Sequence, residues 1–314
     1  LEMERLDDPP RLLVKGRAPG SIDYLTAIPH GDQGFVLQLT AKADVFDRFR
    51  PVADEVARSV HFADAAWHEP QAPAAVVTKS YRKLARVEGE AECGPAVDAV
   101  LEALPAWEQA WSELKLGDPG KAGPLLVHVV REASFAALAR GFGGPPAAYD
   151  PIRCLVVATG PAPGEDKAWR AALFSALAEA ELHRDLRAVP PPWLRVGVAA
   201  IAEAAGLTGE GPETPHPALL AELLGQIPPG GEPPAFETLE HASPADLRDV
   251  PGLRARAWGY AHLMLFGRGT LASHFKRWSR ALEKADGEAP PFDRKGYAKS
   301  SGDLARHLEK LEGR

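Results

Sequence analysis

Three consecutive prolines, Pro190-Pro191-Pro192, stand between two stretches of helical periodicity. Proline has no amide hydrogen and clashes with the preceding turn, so no helix runs through such a triplet. The helix before it spans 166–187, with Trp169, Leu173, Phe174, Leu177 and Leu182 on its apolar face. The helix after it spans 193–206 and is unusually rich in alanine. This break fixes two separate helices in the middle of the chain.

Upstream, the 2.0 and 3.6 periods alternate. Residues 81–90 read as a strand, and 95–116 as a long amphipathic helix carrying Val97, Val100, Leu101, Leu104, Trp107, Trp111 and Leu114. Pro105 lies inside that helix and is expected to kink it. Residues 125–130 form a buried strand, 134–140 a short helix capped by Ser134, and 152–158 another strand. Downstream of 206 the chain is helical at 218–224, 254–266, 273–284 and 301–311.

The first part is β-rich. Residues 11–17 and 21–28 read as strands, 29–34 as turn chemistry, and 35–40 as the strand completing a hairpin. A helix follows from about Asp44, with Val45, Phe46, Phe49, Val52, Val56 and Val60 on one side. The segment GFVLQLTAKADVFDRFRPVADEVARSVHF at 34–62 resembles the C-terminal strand and helix of PsbP-like α/β/α sandwich domains. The expected organisation is an N-terminal hairpin-plus-helix segment over 1–65, a linker over 66–78 and a larger domain over 79–314.

Composition narrows function. The 314 residues carry a formal net charge of -7, so the basic footprint of a general nucleic-acid binder is missing. At 45% hydrophobic the chain can bury a core, but no apolar run is long enough to span a bilayer. The 2 cysteines, Cys93 and Cys154, lie far apart and read as buried thiols rather than a disulfide framework. Abundant Ala, Gly, Pro and Arg suggests a high-GC bacterial genome. Leu1-Glu2-Met3 has no apolar stretch behind it and does not read as a signal peptide. It reads as a remnant ahead of Met3, or as the trimmed edge of a longer chain. The compartment is left open between cytoplasmic and exported.

From Tyr81 onward, the order is strand, long helix, strand, short helix, strand, helix, Pro-Pro-Trp-Leu turn, helix, then further helices. In this order the chain resembles the peptidase MA-like domains of bacteria, gluzincin-type zinc metallopeptidases related in plan to thermolysin. The matching pieces are LLVHVVREASFAALARGF at 125–142, PPAAYDPIRCLVVATG at 145–160, PPWLRVGVAAIAEAAG at 191–206 and RARAWGYAHLMLFGRGTLASHFKRWSRALEKADG at 254–287. The closing FDRKGYAKSSGDLARHLEKLEG also fits the family's tail. The resemblance implies an α+β fold, with a small mixed sheet and a mainly helical C-terminal half, preceded by the small N-terminal segment.

Active members of the family carry H-E-x-x-H on the first of the two central helices. Its histidines, one turn apart, reach a single zinc ion, and its glutamate is the general base for the bound water. A glutamate on the next helix, in a pattern like P-x-W-L-x-E-G-L-A-E, is the third ligand. Anchored on Pro191-Pro192-Trp193-Leu194, that position is Val196; Gly197 and Ala199 match the pattern and Val198 replaces its Leu. The family's spacing then puts H-E-x-x-H on Ser175-Ala176-Leu177-Ala178-Glu179. The first histidine is Ser175, the base is Ala176 and the second histidine is Glu179. No H-E-x-x-H occurs elsewhere, so this does not depend on register.

The expectation is therefore a catalytically inactive metallopeptidase-like protein that binds a peptide or protein partner, with no cofactor. Two rivals stay open. One is a metal-dependent hydrolase with a rearranged site at Glu179, His183 and Glu203, whose plainer reading is a local Glu179–His183 helix pair and a solvated Glu203. The other is a structural subunit of a larger complex.

Other features have bland readings. His262 and His128 read as satisfied core histidines. Trp258, Trp278, His274, Lys276, Arg277 and Arg280 read as a solvated helix face with buried tryptophans, or a patch for an acidic partner. Ser175 lacks the G-x-S-x-G context of a hydrolase elbow. The 160–167 loop lacks P-loop spacing, and its Glu165 and Asp166 complement the dipole of the helix that follows.

Overall fold

The computed structural model describes residues 2–7, 10–15, 21–30, 33–42, 76–116, 123–132, 134–135, 146–150, 154–185, 188–228, 231–243, 246–247, 250–282, 284, 287–288, 292 and 299–313. The chain divides into two compact units, Leu1–Gln71 and Ala72–Arg314. The division falls inside the span 66–78 expected to be a linker. The expected helix from Asp44 and the PsbP-like pattern beyond residue 42 lie outside the described residues, as does most of that linker.

The first unit is an antiparallel meander of four strands in the order β1-β2-β3-β4. They are β1 (Glu2–Asp7), β2 (Pro10–Lys15), β3 (Ser21–His30) and β4 (Gln33–Lys42). The start of the chain, read above as a remnant or trimmed edge, is strand: Glu2 pairs with Lys15 and Met3 with Val14. The hairpin is also tighter than the sequence suggested. Pro29 and His30 stay in β3, paired with Gly34 and Gln33. β2 pairs only as far as Thr26. At Pro29, β3 is therefore bonded on one side alone, where a missing amide hydrogen is tolerated.

The second unit combines one five-stranded mixed sheet with eight α-helices among the described residues, so it is α+β. The single strand expected at 81–90 is a hairpin of β5 (Val76–Tyr81) and β6 (Ala85–Glu90), and β5 occupies the end of the expected linker. A left-handed Arg82 (φ 50°) makes the turn. Strand β6 alternates buried and exposed residues, so one face reads Ala85 and Val87 into the core. Against that face packs α1 (Gly94–Leu114), presenting Val97, Val100, Leu104, Trp107 and Trp111. Trp107 and Trp111, one turn apart, stack with centroids 6.0 Å apart. The helix continues through Pro105 to Leu114.

Strand β7 (Leu125–Val129) runs parallel to β6, and β9 (Leu155–Ala158) parallel to β7. Between them in sequence comes β8 (Ala147–Asp150), which the sequence reading did not separate from its surroundings. It pairs antiparallel with β9 and stands last in the sheet order β5-β6-β7-β9-β8 among the described residues. Helical structure after β7 begins at Glu132, ahead of the expected Ser134 cap. Most of that expected helix lies outside the described residues.

Two helices follow at the break marked by the prolines: α2 (Asp166–Asp185) and α3 (Pro192–Thr208). They pack closely because α3 presents Gly and Ala at the contact. A methyl group at Gly206 would sit 2.7 Å from the Arg170 carbonyl oxygen and 2.8 Å from Ala171 Cα. The end of α3 thus touches the start of α2, so the two run antiparallel. On its other side, Gly197 lies against α6 (Leu253–Phe266), where a methyl would meet the Ala257 oxygen at 2.5 Å. Ala, Gly and Val in α3 are the condition for this three-helix contact.

The remaining helices enclose this centre. They are α4 (Pro217–Gly225), the single turn α5 (Glu237–Glu240), α7 (Thr270–Leu282) and α8 (Ser300–Glu312). α6 is buried from Ala255 to Met264 on nearly every side, including His262 at 1% exposure. His262 Nδ1 lies 2.8 Å from His307 Nε2, and its Nε2 donates to the Glu213 carbonyl at 3.1 Å. That is the core histidine the sequence suggested. Trp258 and Trp278 are buried, while Lys276, Arg277 and Arg280 are exposed on α7. Trp193 of the Pro-Pro-Trp-Leu turn meets Phe236 edge-on at 4.9 Å and stacks near Trp278 at 6.3 Å, which pins the turn in an aromatic cluster.

Candidate functional site

Most of α2 faces the core, because it packs under the sheet on one side and along α3 on another. Ala172, Ser175, Glu179 and His183 are left half-buried. Their spacing of three, four and four puts them on one stripe of the helix. On α3, Arg195 and Val196 are likewise half-buried. Three of the four positions singled out from the sequence, Ser175, Glu179 and Val196, are on this accessible strip. Ala176 turns inward and is buried.

The antiparallel packing sets the level at which the helices face each other. Ala171 meets Gly206, so eleven residues along each helix, about 16 Å, bring Leu182 level with Arg195. Arg195 therefore stands between Glu179 and His183, and its charge acts on both. Burial pushes the Glu179 carboxyl above the usual carboxylate range, against the opposing pull of Arg195 and Arg254. Burial, and then the Arg195 charge, pull the His183 imidazole down.

Strand β8 lies over the second half of α2. The Tyr149 hydroxyl and His183 Nδ1 are 2.5 Å apart, with the rings edge-to-face at 5.7 Å. Burial first, and then the neighbouring Cys154 and Asp150, raise the Tyr149 hydroxyl, which stays protonated. Cys154, expected to be buried, is exposed at the turn into β9 and holds a left-handed φ of 54°; Cys93 is buried. Below, the Glu181 carboxylate is fully buried and accepts from Arg184 Nη2 with each oxygen at 2.8 Å.

Glu203 belongs to another group. Its carboxylate pairs with Arg254 of α6 and accepts from His216 Nε2 at 3.3 Å. His216 Nδ1 in turn accepts the Leu219 amide hydrogen and caps α4, which assigns the proton of this imidazole to Nε2. Burial raises the Glu203 carboxyl; the His216 hydrogen bond and the Arg254 charge outweigh it, and the carboxyl lies below its usual range. Glu203 is thus a tie between α3, α4 and α6 rather than a solvated side chain. His183 is bonded to Tyr149, not paired with Glu179. Among the described residues, no three His, Cys, Asp or Glu side chains are grouped closely enough to hold a metal ion. The structure does not bring Glu179, His183 and Glu203 together.

The donor set at the three positions implied for zinc is one hydroxyl, one carboxylate and one hydrocarbon. Catalytic zinc takes three nitrogen, sulfur or carboxylate ligands plus water. Ser175, Ala176, Glu179 and Val196 do not fit it, and Ala176 has no proton acceptor to serve as base.

Sequence reasoning missed Arg195, Tyr149 and Arg254. Arg195 had a signal, a charge immediately before Val196; Tyr149 and Arg254 needed the fold. No protein-family model matches the chain, and no curated protein matches it. No helix among the described residues is long and apolar enough to cross a membrane.

Proposed function

We propose that this chain is a catalytically inactive protein of gluzincin-like, thermolysin-related plan whose former substrate cleft binds a peptide or protein segment. The observation that carries this reading is the half-buried stripe Ala172, Ser175, Glu179 and His183 on α2, lying beside β8, the last strand of the sheet order among the described residues. Gluzincins, as the resemblance implies, bind substrate by strand addition between a sheet edge and the first central helix. An edge strand offers unpaired amide and carbonyl groups to such an added strand.

The chemistry on the stripe supports binding without hydrolysis. Ala176, which turns into the core, and Val196 offer no lone pair to a metal or a proton. Burial holds the Glu179 carboxyl above its usual range. A direct test passes a pool of N-acetylated random octapeptides over the immobilised full chain and measures retention by mass spectrometry. Ser175→Trp, which fills the stripe, is expected to abolish retention. Equal retention by the variant would remove the cleft from consideration.

A further inference from the structure

At the opposite end of α2 from the cleft, α1, α2 and the end of α3 enclose a cavity of about 140 Å³. Arg170 lines it, thirteen residues and about 20 Å along the helix from His183. The floor is apolar: the three helices present Ala110, Phe174 and Ala205 there, all buried. The mouth is charged. Glu113 of α1 and Arg170 of α2 stand on it, and Gly209, which leaves α3 in a left-handed turn (φ 75°), brings Glu210 to it. Gly211 keeps the mouth open, since a Cβ there would lie 3.1 Å from Glu113 Oε2 and 2.5 Å from Glu213 Oε2.

These charges do not neutralise one another. Glu113 accepts from Gln109 Nε2 at 3.2 Å and Glu210 from Thr214 Oγ1 at 3.0 Å, both neutral donors. Among the described residues neither carboxylate is paired with a cation, and Arg170 has no hydrogen-bond or ion-pair partner. A guanidinium and two carboxylates that face one small cavity from separate elements fit a ligand that carries both charges. An anion with no positive group meets Glu113 and Glu210; an amine with no carboxylate meets Arg170. The apolar floor suits a hydrocarbon side chain beside the charges. The cavity has about four to five waters' worth of liquid volume, which limits that side chain to a few carbons. We infer that this cavity binds a free α-amino acid with a short aliphatic side chain. Its carboxylate meets Arg170, its ammonium Glu113 and Glu210, and its side chain Phe174. The site goes beyond the cleft reading above, and neither depends on the other.

The test titrates L-valine into the full chain and reads its methyl signals by saturation-transfer NMR, with isovalerate, isobutylamine and L-tryptophan as comparisons. Isovalerate lacks the ammonium, isobutylamine lacks the carboxylate, and L-tryptophan keeps both but exceeds the cavity. L-Valine is expected to saturate, and each comparison compound to bind more weakly by about tenfold or more, the effect of losing one charge-assisted bond or the fit. Arg170→Gln and Glu113→Gln should each weaken L-valine by a similar factor. Arg170 is half-buried and Glu113 exposed, so neither substitution opens the core. No saturation by L-valine overturns the assignment. Isovalerate or isobutylamine binding as tightly as L-valine overturns it, because one charge then suffices. L-Tryptophan binding as tightly overturns it too, because the site is then larger than the cavity. L-Valine binding that survives both substitutions unchanged places the ligand elsewhere and has the same consequence. The comparisons among the four compounds use the wild-type chain and decide the matter even where a variant does not fold.

Discussion

Gly197 of α3 and Ala257 of α6 touch through their backbones: a Cβ on Gly197 would lie 2.5 Å from the Ala257 carbonyl oxygen and 2.6 Å from Ala261 Cβ. Neither obstacle is a flexible side-chain tip, so the helices would have to move apart.

Gly197→Ala is accordingly expected to destabilise the chain by about 1–3 kcal/mol, the usual cost of overpacking a filled core. Gly225→Ala is the control. That residue ends α4 and is exposed, and a Cβ there meets nothing within 4 Å. Urea denaturation should separate the two, with Gly225→Ala neutral or slightly stabilising. Equal midpoints would mean that α3 and α6 are not in this contact.

Glu179 gives the stability a pH dependence of known sign. Its folded carboxyl is raised by burial, so between the unfolded and folded values the native state holds more protons than the unfolded chain. Its contribution is complete below the unfolded value, about 4.3, and is lost as pH rises through the folded one. Glu179→Gln keeps a neutral side chain at every pH. Its melting temperature should match the wild type near pH 4 and exceed it at pH 8. A variant less stable than the wild type at pH 8 would mean that Glu179 is ionised in a favourable pair.

What could be read from the sequence followed the range of the interactions involved. The prolines at 190–192 and the 3.6-residue periods located α2, α3, α6, α7 and α8 within a few residues, because those signals are local. Strands β1 and β8 went unseen. β8 has four residues, Ala-Ala-Tyr-Asp, with no alternation to mark it, and it exists through its pairing with β9. At the site, Ser175, Glu179 and Val196 could be placed by motif. The partners of Glu203 could not: Arg254 lies fifty-one residues away and His216 thirteen, across two helix turns that only packing brings together. Arg195 was visible as a residue, but its place between Glu179 and His183 is a property of the folded environment.

Under the proposed gluzincin-like plan, Ser175, Ala176, Glu179 and Val196 support no zinc chemistry. The most direct test of this is elemental mass spectrometry of the purified chain after zinc addition and exhaustive dialysis. The account predicts far less than one zinc per chain, unchanged by Glu179→Gln. One zinc per chain, lost in Glu179→Gln, would contradict it and place a working metal centre on the stripe of α2.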